Sequence, residues 1–313
     1  MPEPGVTVWP GFSGYRNCVR MLSSLAWSVK LPIMGRYAGY CILIPALAVL
    51  QVGCIELDIR ASEDIAIGAG DSATISASDA IFPASAREIE AAVNNPSRRA
   101  SDRRQDEQRR AAAVLAFFGV NPGMTVLDLY SGGGYYTELL SYLVGANGHV
   151  VAHNNEPYLS YAKDDLSGRY ADNRLSNVKQ LIAENNELQL ESATFDVVLM
   201  IKAYHDLYYV DESAGWTKVD IPEFLGEIYA ALKPGGVLGI VDHNAIPGSP
   251  SSTGGKLHRI DPVLIKRDVT AVGFIYAGES SVLRNPDDDL SQTVFATTVS
   301  DQTDRSVMRF RKP

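Results

Sequence analysis

Residues 126–140 read VLDLYSGGGYYTELL: an apolar strand carrying Asp128, a run of three glycines, then a helical segment. Glycines there let the backbone turn sharply and approach a ligand, and the amino end of the following helix favours negative charge. Such a turn cradles a nucleotide-like ligand, although dinucleotide-binding folds use similar ones. Two further stretches place titratable groups at strand ends. Lys202-Ala203-Tyr204-His205-Asp206 follows FDVVLMI, and Asp242-His243 closes VLGIVDH. Histidine is the side chain most easily poised near neutral pH. His205, then His243, are therefore the candidate general bases, with Asp206 or Asp242 as orienting partner. His258 and Arg259 precede a helix and are candidates to meet an acidic substrate group. Tyr204, Tyr208, Tyr209 and Trp216 are candidates to wall a pocket or to form the core of a lid. The spacing of these His and Asp residues matches no compact metal site, so no metal is expected.

The elements that must hold these residues alternate. Apolar strands read as TVLDLY, HVVAHN, VKQLIAE, FDVVLMI and VLGIVDH, with helical patterns between them such as YYTELLSYLVG and IPEFLGEIYAALK. Continuous apolar strands alternating with helices imply a parallel sheet covered on both faces. Helical spacing also runs through RRQDEQRRAAAVLAFFG, and Asp261-Pro262 has the form of a helix start. The tail, with FIYAGESSVLR, TVFATTV and RSVMRFRK, is strand-like without intervening helices. The expected architecture is α/β: a mostly parallel seven-stranded sheet closed by a C-terminal antiparallel hairpin, with helices on both faces.

Four landmarks in order resemble the class I S-adenosylmethionine (SAM) dependent methyltransferases, whose fold is Rossmann-like. In their first motif an acidic residue precedes alternating glycines. Asp128 takes the acidic position, Gly132 and Gly134 take the second and third glycine positions, and Tyr130 stands at the first, narrowing the loop. The second landmark is VVAHNNEP, where Asn154 aligns with the family's ribose-binding acid and Asn155 and Glu156 follow. The third is AENNELQLESATFDVVLM, where Glu184, with Asn185 alongside, fits the position that meets the adenine amino group. The fourth, LKPGGVLGIVDH, is a structural turn before the fifth strand. The double Asn, the LAFFGV segment and the RFRKP end most resemble a family of bacterial predicted methyltransferases, many with export signals. The resemblance covers about residues 100–313. It implies that Asp128, Tyr130, Ser131, Gly132, Gly133, Gly134, Asn154, Asn155, Glu184 and Asn185 bind SAM. It also implies that residues past the fourth and fifth strands, His205, Asp206 and His243, face the methyl group.

Composition constrains the partner. The N-terminal 54 residues hold four basic residues and one acid, leaving 24 basic against 36 acidic residues in the rest. An acidic body argues against a polyanion as main partner, since nucleic-acid binding rests on phosphate neutralisation. No Asn-Pro-Pro-Tyr type sequence follows the fourth strand, which argues against amino methylation of DNA bases or glutamine. Tyr37 to Ile55 is an uncharged run with basic residues before it and acids after. It reads as an export signal rather than a spanning helix. Its Leu50-Gln51-Val52-Gly53-Cys54 end resembles a lipoprotein processing site, so membrane attachment through a lipidated Cys54 and a periplasmic location are expected. The alternative is a cytoplasmic protein. Residues 1–33 have the character of an over-extended gene start, 55–85 that of a polar flexible tether, and 86–313 that of the catalytic domain. The resulting expectation is a methyltransferase acting on a small-molecule acceptor. The alternative is an exported protein that binds SAM or a nucleotide-like ligand and has lost transfer.

Overall fold

The computed structural model describes residues 86–313. The signal, the Cys54 processing site and the tether expected from the sequence lie outside the described residues. In chain order the helices are α1 (Ala86–Val93), α2 (Ala100–Arg103), α3 (Asp106–Arg109), α4 (Ala111–Phe118), α5 (Tyr135–Val144), α6 (Glu156–Arg169), α7 (Ile221–Ala231), α8 (Thr253–Leu257) and α9 (Pro262–Ala271). The strands are β1 (Thr125–Leu129), β2 (His149–Asn154), β3 (Val178–Ile182), β4 (Phe195–Ile201), β5 (Leu232–His243), β6 (Ile275–Ser280) and β7 (Arg305–Arg311). They form one seven-stranded sheet in the order β3-β2-β1-β4-β5-β7-β6. The first five strands pair in parallel, and β7 runs antiparallel between β5 and β6. This is the α/β architecture expected, a mostly parallel seven-stranded sheet closed by antiparallel C-terminal strands.

Both faces are packed. One apolar cluster joins the sheet to α7, α9 and the short 3-10 turn at Tyr204–Tyr208; the other joins it to α1, α4 and α5. A parallel sheet needs this double cover, because its backbone and its apolar side chains must all leave water. Gly239 on β5 lets the cover come close: a Cβ there would lie 2.8 Å from the Phe118 ring and from Leu199.

Two expectations change. The helical run from Arg103 to Gly119 is broken at Arg110, whose backbone is left-handed (φ 46°), so α3 and α4 are separate. The segment Thr293–Val299 is not a strand but a set of turns within the long connection between the antiparallel β6 and β7. Its apolar residues have another use: Val294 and Val299 are buried by packing, and Val294 N–H donates to the Leu257 carbonyl. Alternation of apolar residues reports burial, and here a loop supplies the burial without a ladder.

Candidate active site

Tertiary connections hold the glycine turn between β1 and α5. Tyr130 (φ 52°), Gly132 (φ 54°) and Gly134 (φ 80°) are all left-handed. The Asn154 side chain grips the turn from both sides. Its carbonyl oxygen accepts from Gly132 N–H at 2.8 Å, and its amide donates to the Gly132 carbonyl at 3.2 Å. From α6, Arg169 donates to the Gly133 carbonyl, and it also binds Asp102 (2.9 Å) and Glu138. Gly134 makes room for that guanidinium, since a Cβ there would lie 2.5 Å from Arg169 Cδ. Asp128 is buried under the turn and accepts from Thr137 Oγ at 2.6 Å. Burial pushes its carboxyl up to about 7, against the Thr137 hydrogen bonds.

The Tyr130 side chain crosses the carboxyl ends of the strands. Its hydroxyl donates to Asn185 Oδ1 at 2.8 Å, and its ring packs at 5.0 Å from the Tyr158 ring and at 5.2 Å from the His153 ring. Asn155 caps α6 through Tyr158 N–H and donates to the same Asn185 oxygen at 3.2 Å. Glu184 accepts from Glu156 N–H at 3.2 Å. Of the residues assigned to a ligand by resemblance, Asp128, Tyr130, Ser131, Gly132 and Gly133 line a cavity of about 260 Å³ beside the turn. Gly134 faces Arg169 instead, and Asn154, Asn155 and Asn185 are buried and bonded to protein groups.

A second cavity, of about 460 Å³, opens beyond β4 and β5. Tyr158 and Lys202 line both cavities, so the two adjoin. Lys202 is held in a left-handed backbone (φ 60°) directly after β4. Burial lowers its ammonium to about 7, with Arg109 and Arg305 adding repulsion.

His205 sits in the wall of this second cavity. Asp242, from the end of β5, accepts from His205 N–H at 2.8 Å through one oxygen and lies 2.8 Å from His205 Nδ1 through the other. Asp242, not Asp206, is thus the orienting carboxylate. Burial opposes an imidazolium here, but the Asp242 charge, with Asp206 beyond it, outweighs burial and raises the His205 pKa above its ordinary value. Asp206 lies on the other side, its Oδ1 3.3 Å from His205 Nε2, and Tyr158 donates to its Oδ2 at 2.6 Å. Burial works against the Asp206 carboxylate, but His258, His205 and Tyr158 together hold its pKa below the usual range. His243 pairs its Nδ1 with Thr303 Oγ at 2.7 Å. Burial first, then Lys202 and His205, drive His243 well below the ordinary imidazole range, so it is neutral at pH 7.

His258 and Arg259 part company. His258 joins the cavity, with Nδ1 3.2 Å from His205 Nε2 and its ring 4.7 Å from Phe295. Arg259 is fully buried, is engaged by Asp288 at 2.8 and 3.0 Å, and does not line the cavity. The aromatic group also divides. Trp216 walls the cavity, whereas Tyr204 and Tyr208 turn away to Asp268 on α9. Several wall residues were given no role by the sequence, Lys202, Tyr158 and Phe295 among them. Lys202 could have been found from its place at the strand end, and Tyr158 from its place in the first turn of α6. Phe295 had no local signal, because only the long β6–β7 connection brings it there.

Residues 120–268 match a methyltransferase domain family. The ubiquinone/menaquinone biosynthesis C-methyltransferase of Hydrogenovibrio crunogenus is 30% identical over 134 residues, which is 42% of this chain and 47% of that protein. The same enzyme of Idiomarina loihiensis is 33% identical over 119 residues, 38% of this chain and 42% of that protein. The chain thus spans less than half the length of these curated relatives. Among solved structures, a SAM-dependent methyltransferase from Aquifex aeolicus aligns with a TM-score of 0.47 at 22% identity, over 73% of this chain and 98% of that one.

Proposed function

We propose that this chain, which carries a class I SAM-dependent methyltransferase domain, transfers the methyl group of SAM to a small acceptor held in the cavity beside His205. The observation that carries this reading is the junction of the two cavities at Tyr158 and Lys202. A donor on the glycine turn and an acceptor beside His205 would meet there.

SAM is the cofactor of such a domain, and the residues present fit its amino-acid end. The turn offers backbone groups from Ser131 to Gly133, and Ser131 Oγ is buried without a hydrogen-bond partner. A buried hydroxyl left unpaired is costly, and a polar ligand group in the cavity would satisfy it. Arg109, and Lys202 in its protonated form, would supply positive charge for a carboxylate. At the nucleoside end, Glu156 and Glu184 are the carboxylates available for ribose and adenine, since Asn154 holds the turn and Asn185 holds Tyr130. When bound, SAM supplies an electrophilic methyl group for in-line displacement. The chain's own part is to align the acceptor and to help remove its proton. Trp216, Tyr158 and Phe295 give flat apolar walls, and the Asp242–His205 pair with Asp206 gives the polar edge.

A second reading, a binding protein without transfer, is favoured by Tyr130 and Asn154, which stand where the SAM motifs usually have a glycine and an acid. Screening phenols, carboxylates, thiols and amines with labelled SAM, on the full chain, decides between them. Transfer to one acceptor class, reduced about a hundred- to ten-thousand-fold in His205→Ala with SAM affinity unchanged, supports the enzyme. SAM binding by calorimetry without transfer to any class supports the second reading.

A further inference from the structure

We propose that His205, Asp206 and His258 form a binding site for a divalent transition-metal ion, open to the acceptor cavity. Three donor atoms converge. His205 Nε2 lies 3.2 Å from His258 Nδ1 and 3.3 Å from Asp206 Oδ1. His258 Nδ1 lies 3.7 Å from Asp206 Oδ1, and all three atoms fall within 4.8 Å of one another. An ion about 2.1 Å from such donors, at octahedral to tetrahedral angles, sets neighbouring donors roughly 3.0–3.4 Å apart. Two edges of the observed triangle, 3.2 and 3.3 Å, have that size, and the third, at 3.7 Å, is slightly longer. An ion seated on it keeps its remaining positions for the cavity, which His205, Asp206 and His258 all line.

Hydrogen-bond accounting points the same way. In the neutral ring Asp242 takes the Nδ1–H of His205 and Nε2 keeps a lone pair. That lone pair faces Asp206 Oδ1, which is buried and has no hydrogen-bond partner. A proton on His258 Nδ1 can serve His205 at 3.2 Å, but at 3.7 Å it is too far to serve Asp206. A doubly protonated His205 ring can point its Nε2–H at Asp206 Oδ1 across 3.3 Å, and a metal cation in the place of that proton would meet all three donor atoms together.

The surroundings are those of a supported ligand set. Metal-binding imidazoles usually give their other nitrogen to a carboxylate, and ligating carboxylates are themselves hydrogen-bonded. Asp242 does the first for His205, and the Tyr158 hydroxyl does the second for Asp206. His258 is brought in at a cost. Its backbone is left-handed (φ 54°), and its ring is backed by Phe295. Gly254 lets α8 press against the His205 carbonyl so closely that a Cβ would lie 2.4 Å from that oxygen. Strained backbone held by tight packing is common where side chains are positioned for ligands. Two imidazoles and one carboxylate suit zinc, iron or manganese rather than calcium.

The metal site stands independently of methyl transfer. Where the methyltransferase reading also holds, the acceptor class narrows to molecules that offer an oxygen or sulfur to the ion, such as phenols, hydroxy acids or thiols. A hydroxyl or thiol bound there loses its proton to solvent more easily, because the ion stabilises the anion. Its lone pair then forms the new bond to carbon as the bond from sulfonium sulfur to methyl breaks. His205 Nε2 serves as a ligand in that state.

The test uses the full chain, stripped with a chelator and titrated separately with Zn²⁺ and Mn²⁺. Manganese separates this site from the three cysteines, which favour zinc. We expect one equivalent of Mn²⁺, weakened at least tenfold in His258→Gln and by about ten- to a hundredfold in Asp242→Asn. His149→Gln, on an exposed residue at the start of β2, leaves affinity unchanged. His258 is partly exposed, with its side chain 31% accessible, so its loss should spare the fold if His205→Ala does not. Mn²⁺ binding that His258→Gln leaves unchanged, or no stoichiometric binding by the folded wild-type chain, overturns the proposal. One equivalent of Mn²⁺ in a chain that does not bind SAM supports the metal site and removes the methyltransferase reading alone.

Discussion

Substituting alanine at Gly134 and at Gly132 separates two reasons for a glycine. Both residues are left-handed, with φ of 80° and 54°, and an alanine there costs about 1–2 kcal/mol in backbone strain. At Gly132 nothing lies within 4 Å of where the added methyl would sit, so strain is the whole effect. At Gly134 the methyl would sit 2.5 Å from Arg169 Cδ and 2.8 Å from its Nε. Arg169 is 2% exposed and is tied to Asp102, Glu138 and the Gly133 carbonyl, so it has little freedom to yield. Overpacking of that kind adds about 1–3 kcal/mol. Gly134→Ala should therefore cost about 2–5 kcal/mol and Gly132→Ala about 1–2 kcal/mol. For a domain of this size that is a fall in Tm of about 2–4 °C per kcal/mol. Gly134→Ala should also weaken SAM binding, because Arg169 loses its place on the turn, not because the methyl meets the ligand. Thermal and urea unfolding of both variants, with calorimetry of SAM, measure these effects. Equal destabilisation by the two substitutions would refute the argument that Arg169 is what Gly134 accommodates.

Three other outcomes are expected. Asp128 has its pKa raised by burial from 3.8 in the unfolded chain to about 7 when folded, so its contribution to stability is full below pH 4 and is lost as pH rises through 7. The stability of Asp128→Asn relative to wild type should thus grow by a few kcal/mol between pH 5 and 8 in urea titrations; a constant difference would mean that Asp128 is not protonated in the fold. Arg259→Met leaves Asp288 buried and unpaired and should cost about 3–5 kcal/mol of stability without changing the KM of an identified acceptor; a raised KM in a fully folded variant would return Arg259 to the site. Cys54→Ser should release the chain from membranes if Cys54 is lipidated, and unchanged membrane association with no fatty-acid labelling of the wild type would exclude that anchor.

The strand, turn and helix around Asp128 could be read from the sequence because their causes are local. Glycines at left-handed positions, an apolar strand before them and a helical pattern after them all lie within 15 residues. Asp261 capping α9 through Val263 N–H is another local feature, and it sits where the sequence put it. The parallel sheet was legible for a related reason: buried strands must be apolar along their whole length. Partnerships between distant side chains were not legible. His205 meets Asp242 across 37 residues of sequence and His258 across 53, and only the adjacency of β4 and β5 and the packing of α8 on the Tyr204–Tyr208 turn bring them together. The same holds for Arg259, which sequence spacing left beside His258 but which the β6–β7 connection captures through Asp288. Position at the end of β2 aligns Asn154 with a ribose ligand, and only tertiary packing reveals that its amide also grips Gly132. Residue type and spacing determine which backbone conformations are cheap. Which side chains face one another depends on strand order and loop packing, whose energies are summed over contacts far apart in the chain.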